Sequence, residues 1–123
     1  MSNDEIGTMI LDAAFIVHKT LGPGLLESAY ENCLVSEMKF LGLIVASQVP
    51  LPLIYREQHL GIGYRADLII NHSVLVEVKA VEAINDVHIA QVLTYLKLSN
   101  CRLGYILNFN VAKLKNGIKR IIL

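Results

Sequence analysis

No acidic residue follows Asp86, although the chain is electrically neutral overall, with 11 acids and 11 bases in 123 residues. Residues 1–86 hold all 11 acids and five bases, a net −6, while residues 87–123 hold six bases (Lys97, Arg102, Lys113, Lys115, Lys119 and Arg120), a net +6. A net charge of zero argues against a strong general polyanion binder, but its segregation could supply one phosphate-facing surface. The plainer explanation is that these bases solvate a surface turn and an edge strand, a common use of short basic runs.

Cysteine is scarce as well. Cys33 and Cys101 have neither the number nor the spacing of a disulfide framework or a zinc site. Hydrophobic residues make up 54% of the chain and mean hydropathy is +0.49. They come in short runs, however, and none approaches the roughly 20 residues needed to cross a bilayer. Met1-Ser2-Asn3-Asp4-Glu5 is acidic and lacks the basic and apolar regions of a signal peptide, so a cytoplasmic location with no membrane association is expected. This length can bury about two-thirds of its unfolded surface, enough for one core. With no repeat, low-complexity tract or linker, residues 1–123 are expected to form a single domain. The apolar fraction also leads us to expect a covered surface, and hence a homo-oligomer.

Periodicity gives the order of elements. Ile6, Met9, Ile10, Ala13, Val17 and Leu21 follow helical spacing until Gly22-Pro23-Gly24. A second helix is expected from about Leu26 to Leu41, with Leu26, Tyr30, Cys33, Leu34 and Leu41 inward and Gly42 as its stop. Ile44 to Tyr55 is extended, and Pro50 and Pro52 suit an edge strand because their missing amides fall on one side. Leu60 to Ile70 and Val74 to Lys79 form a hairpin, followed by a helix from Asp86 to about Leu98 capped by Asn85. Leu103 to Leu107 is a strand, Asn108 to Asn116 a loop and Ile118 to Leu123 a last strand. The order α-α-β-β-β-α-β-β implies an α/β fold with a mixed sheet flanked by helices and a crossover through the third helix.

Chemistry concentrates in that hairpin. Leu75, Glu77 and Lys79 alternate with Val74, Val76 and Val78, so Glu77 and Lys79 share one face roughly 6–7 Å apart. Two charges on a β-branched strand are costly to bury unless they are paired or bind a metal. A two-residue loop at Asn71-His72 would set Asp67 opposite Val76, whereas a three-residue loop, Asn71-His72-Ser73, sets it opposite Glu77. The three-residue loop is expected. Opposed carboxylates favour a divalent cation between them or a raised pKa on one.

Asp67 followed by Glu77-Val78-Lys79 resembles the PD-(D/E)xK nuclease superfamily. Gly24-Leu25-Leu26-Glu27-Ser28-Ala29-Tyr30 reads as G-x-x-E-x-x-Y, and Gln91-Val92-Leu93-Thr94-Tyr95 resembles the Q-x-x-x-Y helix of RecB-type nucleases. The chain is similar to the small GxxExxY subgroup from about Ile6 to Leu123, including Leu21 to Gly24, Tyr64 to Leu68 and Gly117 to Arg120. The resemblance implies a restriction-endonuclease-like core and a nuclease hydrolysing phosphodiester bonds in DNA or RNA with Mg²⁺ or Mn²⁺. Asp67, Glu77 and the backbone carbonyl of Val78 would be metal ligands, joined by Glu27 and, on the pattern of a helix histidine in some relatives, His18. Lys79 would act on the attacking water, and Gln91 on water or substrate. Tyr95, Tyr30, Lys113, Lys115, Lys119 and Arg120 would contact the nucleic acid, DNA being the expected partner.

Each of these residues has a plainer use. Glu77 and Lys79 could be an ion pair on an exposed sheet face, and Glu27 an acid in the first turn of a helix. His88, Gln91 and Tyr95 form one helical stripe that could serve capping and packing, and a lone helix histidine such as His18 is more often structural. The competing function is a catalytically silent nuclease-like module that binds nucleic acid or a protein.

Overall fold

A capping box starts the first helix, α1 (Asn3–Leu21): the Glu5 amide donates to the Ser2 hydroxyl and the Ser2 amide to the Glu5 carboxylate. Our description rests on a computed structural model, which describes residues 1–123, the side chain of Ile62 excepted. The apolar stripe of α1 (Ile6, Ile10, Ala13, Ala14 and Val17) is buried, and Gly22, at φ +66°, closes the helix by donating its amide to the His18 carbonyl. α2 (Glu27–Phe40) follows. Its buried line is Tyr30, Leu34 and Met38, at intervals of four. Leu26, Cys33 and Leu41, expected to face inward, are exposed, because the helix sets one narrow stripe against the sheet and these residues lie off it.

The remaining elements are β1 (Val45–Tyr55), β2 (Gln58–Ile70), β3 (Val74–Lys79), α3 (Asp86–Ser99), β4 (Leu103–Asn108), a 3-10 turn (Leu114–Gly117) and β5 (Ile118–Ile122). Among the described residues they build one five-stranded sheet in the order β1-β2-β3-β4-β5. β3 and β4 run parallel and the other neighbours antiparallel, so the sheet is mixed, and α3 makes the crossover between the parallel pair. The expected element order holds. β1 lies at an edge, where Pro50 and Pro52 are tolerated. Asn108, expected in a loop, is instead the last residue of β4.

Two cores pack on the two faces. α1 and α2 cover Val74, Val76, Val78, Leu103, Tyr105 and Leu107. α3 covers Leu75, Ile106 and Ile121 with Val92, Tyr95 and Leu96. Asn85 caps α3 in a second capping box, its side chain accepting the His88 amide at 3.0 Å while His88 Nδ1 accepts the Asn85 amide at 3.2 Å. His88 is thereby committed to the cap. No helix among the described residues is long and apolar enough to cross a membrane.

Candidate active site

The hairpin loop sets the register on which the site depends. Asn71 (φ +50°) and His72 (φ +58°) take the left-handed conformation, and the Ser73 amide donates to the Ile70 carbonyl at 3.0 Å. Ser73 is then an extra residue before pairing starts, so Ile70 pairs with Val74 and Leu68 with Val76. Asn71 is held from the side, its amide donating to the Ile44 carbonyl and its Oδ1 accepting the Ile44 amide, both at 2.8 Å. The same register carries Asp67 opposite Glu77, as the three-residue loop requires.

Backbone pairing between β2 and β3 stops one step short of that pair, and the two carboxylates take its place. The Asp67 amide donates to Glu77 Oε2 at 2.6 Å and the Val78 amide to Asp67 Oδ2 at 2.9 Å. The strands are thus joined here through side chains, where a bound cation could compete for the same oxygens. Opposite Asp67 on the other side lies Gln48, in the left-handed region at φ +52°. Around these two residues the β1–β2 ribbon turns over. Leu68 and Ile70 face α1 and α2, whereas Ala66 and Tyr64, of the same parity, face α3. Gln48 Nε2 donates to both carboxylate oxygens of Glu31, at 3.1 and 2.9 Å.

Glu77 is only 4% exposed. Burial pushes its carboxyl up to about 8, the Asp67 charge adds to the rise, and the Asp67 amide and the Lys79 ammonium oppose it. Asp67 is also raised, chiefly by burial, against the Val78 amide and Lys79, with the Glu27 charge adding. Glu31 is raised by burial too; Gln48 opposes that, and the charges of Asp67 and Glu27 reinforce it. Glu27 itself accepts the Ala80 amide at 3.1 Å, tying the start of α2 to the end of β3. Tyr95 on α3 is raised by burial and by the Glu77 and Asp67 charges, with Gln91 opposing, and its ring lies 6.2 Å from that of Tyr64.

The structure therefore brings Asp67, Glu77, Lys79, Glu27, Gln91 and Tyr95 into one electrostatic neighbourhood. Three expected members have other uses. His18 Nε2 sits 2.7 Å from the Val111 carbonyl, and its ring lies 6.3 Å from Phe109. Tyr30 is fully buried and stacks on Phe109 at 4.6 Å, and its hydroxyl donates to the Gly22 carbonyl and accepts the Leu25 amide, so it braces the loop before Glu27 and cannot touch a substrate. Arg120 pairs with Asp4 of α1 at 2.9 Å, on the face away from α3. Lys119 is on the α3 face, and Lys113 and Lys115 are exposed about the 3-10 turn.

Sequence reasoning missed Glu31, Gln48 and Asn108. Glu31 could have been found, being one helical turn after Glu27. Gln48 could not, because its importance comes from a backbone conformation that no local signal announces.

The donors suit a hard cation. Among the described residues no three His, Cys, Asp or Glu side chains converge to hold an ion unaided. Mg²⁺ does not require such a cage, since it commonly takes one or two carboxylates and completes its shell with water and substrate phosphate. Two opposed, destabilised carboxylates fit that mode.

A family model described as the PD-(D/E)XK nuclease superfamily matches residues 4–121. The chain belongs to that superfamily. Its mixed sheet flanked by helices is consistent with the restriction-endonuclease-like fold, and the superfamily's general use of divalent metals and nucleic acid agrees with the donor set. No curated protein and no solved structure matches the chain.

Proposed function

We propose that the chain is a Mg²⁺- or Mn²⁺-dependent nuclease of the GxxExxY subgroup that hydrolyses phosphodiester bonds, with DNA as the preferred substrate. The observation that carries this reading is the opposition of Asp67 and Glu77 across an interrupted strand pair, with Lys79 following Glu77 on the same face. Asp67, Glu77 and the Val78 carbonyl would hold the ion, with Glu27 at its outer edge. When bound, the ion supplies charge neutralisation and a water of lowered pKa.

The remaining chemistry belongs to the chain. Lys79 stands beside the carboxylate pair, where its amine end orients the attacking water and stabilises negative charge growing on the phosphorus oxygens. Gln91, exposed one turn before Tyr95 on α3, presents an amide that can position water or a phosphate oxygen. Tyr95 closes the α3 side and helps exclude bulk water from Glu77. Lys113, Lys115 and Lys119 supply the phosphate-facing charge. The expectation of a second copy is supported by exposed apolar side chains such as Phe40 (86%) and Ile44 (60%).

One observation favours the silent-module reading: both carboxylates and Glu27 already accept backbone amides, so all three have structural work without an ion. A panel of labelled single- and double-stranded DNA and RNA, incubated with Mg²⁺ or Mn²⁺, separates the two. We expect metal-dependent cleavage that Lys79→Ala lowers about 10³-fold while nucleic-acid affinity stays within about twofold, the pattern of a group acting in the transition state. No cleavage of any substrate, or cleavage undiminished in Lys79→Ala, would overturn the nuclease reading.

A further inference from the structure

A cavity of about 260 Å³ opens at the carboxyl ends of the parallel strands β3 and β4, next to the carboxylates but separate from them. Its lining combines apolar Ile84, Val111 and Ile118 with polar Glu82, Asn116 and Lys119. Its position relative to the chemistry follows from the register. Glu77 pairs with Ile106 and Ile106 with Lys119, so Glu77 and Lys119 lie in one row on one face, roughly 10 Å apart by two strand spacings.

The cavity is pre-formed because one residue pins both of its walls. Asn108 is 1% exposed, and its Oδ1 accepts the amides of Val81 (3.1 Å) and Asn110 (3.2 Å) while its Nδ2 donates to the Val81 carbonyl at 2.9 Å. This fixes the loop that carries Glu82 and Ile84. On the other side Gly117 lies so tightly against the Asn108 backbone that a Cβ there would collide with its carbonyl oxygen. This fixes the 3-10 turn that carries Asn116.

We propose that this cavity receives one unpaired nucleotide of a strand whose scissile phosphate lies at Glu77 and Lys79, making the substrate a nucleic acid with a single-stranded segment or end. The inference rests on the nuclease reading of the carboxylate site. A recess walled by the 80–85 loop, β4 and the 3-10 turn receives a base only when that base is turned out of a helix, so a base within a duplex would first have to leave its stack. The apolar side chains in its lining suit the faces of a base, and Glu82 and the Asn116 amide suit the donors and acceptors on its edge. Lys119 at the rim suits the phosphate. Glu82 disfavours phosphate at its own wall, which orients the nucleotide with its base toward the 80–85 loop.

Fluorescence anisotropy with the full chain carrying Lys79→Ala, in Mg²⁺, tests this. The probes are a labelled single-stranded oligonucleotide, the same sequence as a blunt duplex, and a duplex with a single-stranded overhang. We expect the first and third to bind about tenfold more tightly than the second. Ala83→Trp, a change at an exposed loop position on the cavity, and Asn116→Ala should each erase that preference by weakening only the probes with unpaired nucleotides. Equal affinity for all three probes, no binding to any, or equal losses on all three in both variants would overturn the assignment. Melting curves show whether Ala83→Trp is folded; if it is not, Asn116→Ala and the comparison of probes on the parent chain still decide. Cleavage of blunt duplex and single strand alike, unaffected by Asn116→Ala, sinks the cavity assignment and leaves the nuclease reading standing. Selective binding without cleavage under any ion does the reverse.

Discussion

β3 has two neighbours and treats them differently. Along β4 all six of its residues, Val74 to Lys79, are paired in parallel. Along β2 the pairing covers only Val74 to Val76, after which Asp67 and Glu77 replace the backbone ladder with side-chain bonds. A continuous seam satisfies every backbone group and leaves nothing to bind a ligand, whereas an interrupted one must recruit polar side chains and so concentrates charge where water is scarce. One seam holds the fold, and the other gathers the charge on which the proposed function rests. The difference arises within a few residues, where Gln48 and Asp67 mark the turnover of the β1–β2 ribbon.

The largest expected contrast comes from truncating one side chain on each seam. Ile106 is fully buried and stands next to Glu77 on β4; Ile106→Ala should cost about 2–5 kcal/mol through lost burial and a cavity. Its Mg²⁺-dependent rise in melting temperature should survive, since no oxygen donor is removed. Asp67→Asn keeps the volume and an acceptor for the Val78 amide and removes a charge that burial disfavours, so its stability should stay within about 1 kcal/mol of the parent chain. Yet it should abolish most of the Mg²⁺ response, which grows as RT ln(1 + [L]/Kd) for a ligand of the native state. Thermal melts of both variants across a millimolar Mg²⁺ titration measure the contrast. An equal Mg²⁺ response in Asp67→Asn and in the parent chain would show that the interrupted seam is not the ion site.

How far this asymmetry was legible depends on the kind of signal. Parity reduced the hairpin to two outcomes, with Asp67 opposite Glu77 only if the loop holds three residues; the loop length itself was a choice that no local signal fixed. The Asn85 cap was legible, because capping is local. Tyr30 carries two expectations, an inward position on the second helix and, from the motif, a substrate contact; its burial in line with Leu34 and Met38 bears out the first and leaves no surface for the second, because a motif letter does not say which way a side chain points. Arg120 was grouped with Lys119 by counting charge, although neighbouring strand residues face opposite sides. Asn108 and Gln48 were opaque. Both matter through where the backbone goes, Asn108 by clamping a distant loop and Gln48 by a left-handed turn within a strand.

A smaller effect sharpens the comparison through pH. Glu77 is raised from an ordinary 4.5 to about 8 in the folded chain, so between those values the native state holds a proton that the unfolded chain has released. Without metal, stability should therefore fall as pH rises through that window, by at most about 1.4 kcal/mol per pH unit for one proton. Glu77→Gln keeps an acceptor for the Asp67 amide and removes the titration, so its stability should be flatter with pH and should exceed that of the parent chain near pH 8. Chemical denaturation at a series of pH values in EDTA measures both slopes. Parallel curves for the two proteins would mean that the Glu77 proton is not linked to folding.

The smallest expected effect separates the two faces of the far edge. Lys119 lies in the row of Glu77 on the α3 face, while Arg120 on the next residue faces α1 and is paired with Asp4. If the nucleic acid crosses the α3 face, each lysine contacting phosphate releases counterions, and its loss reduces the slope of log affinity against log salt by about 0.7–0.9. Lys119→Ala should show that reduction, as should Lys113→Ala or Lys115→Ala if the strand continues past the 3-10 turn. Arg120→Ala should leave the slope where it was, because its guanidinium points to the other side of the sheet. Salt titrations of binding by the four variants give the answer directly. A slope change in Arg120→Ala as large as that in Lys119→Ala would mean that the basic carboxyl-terminal third acts as a diffuse cloud of charge, and that the face carrying Glu77 and Lys79 does not direct the substrate.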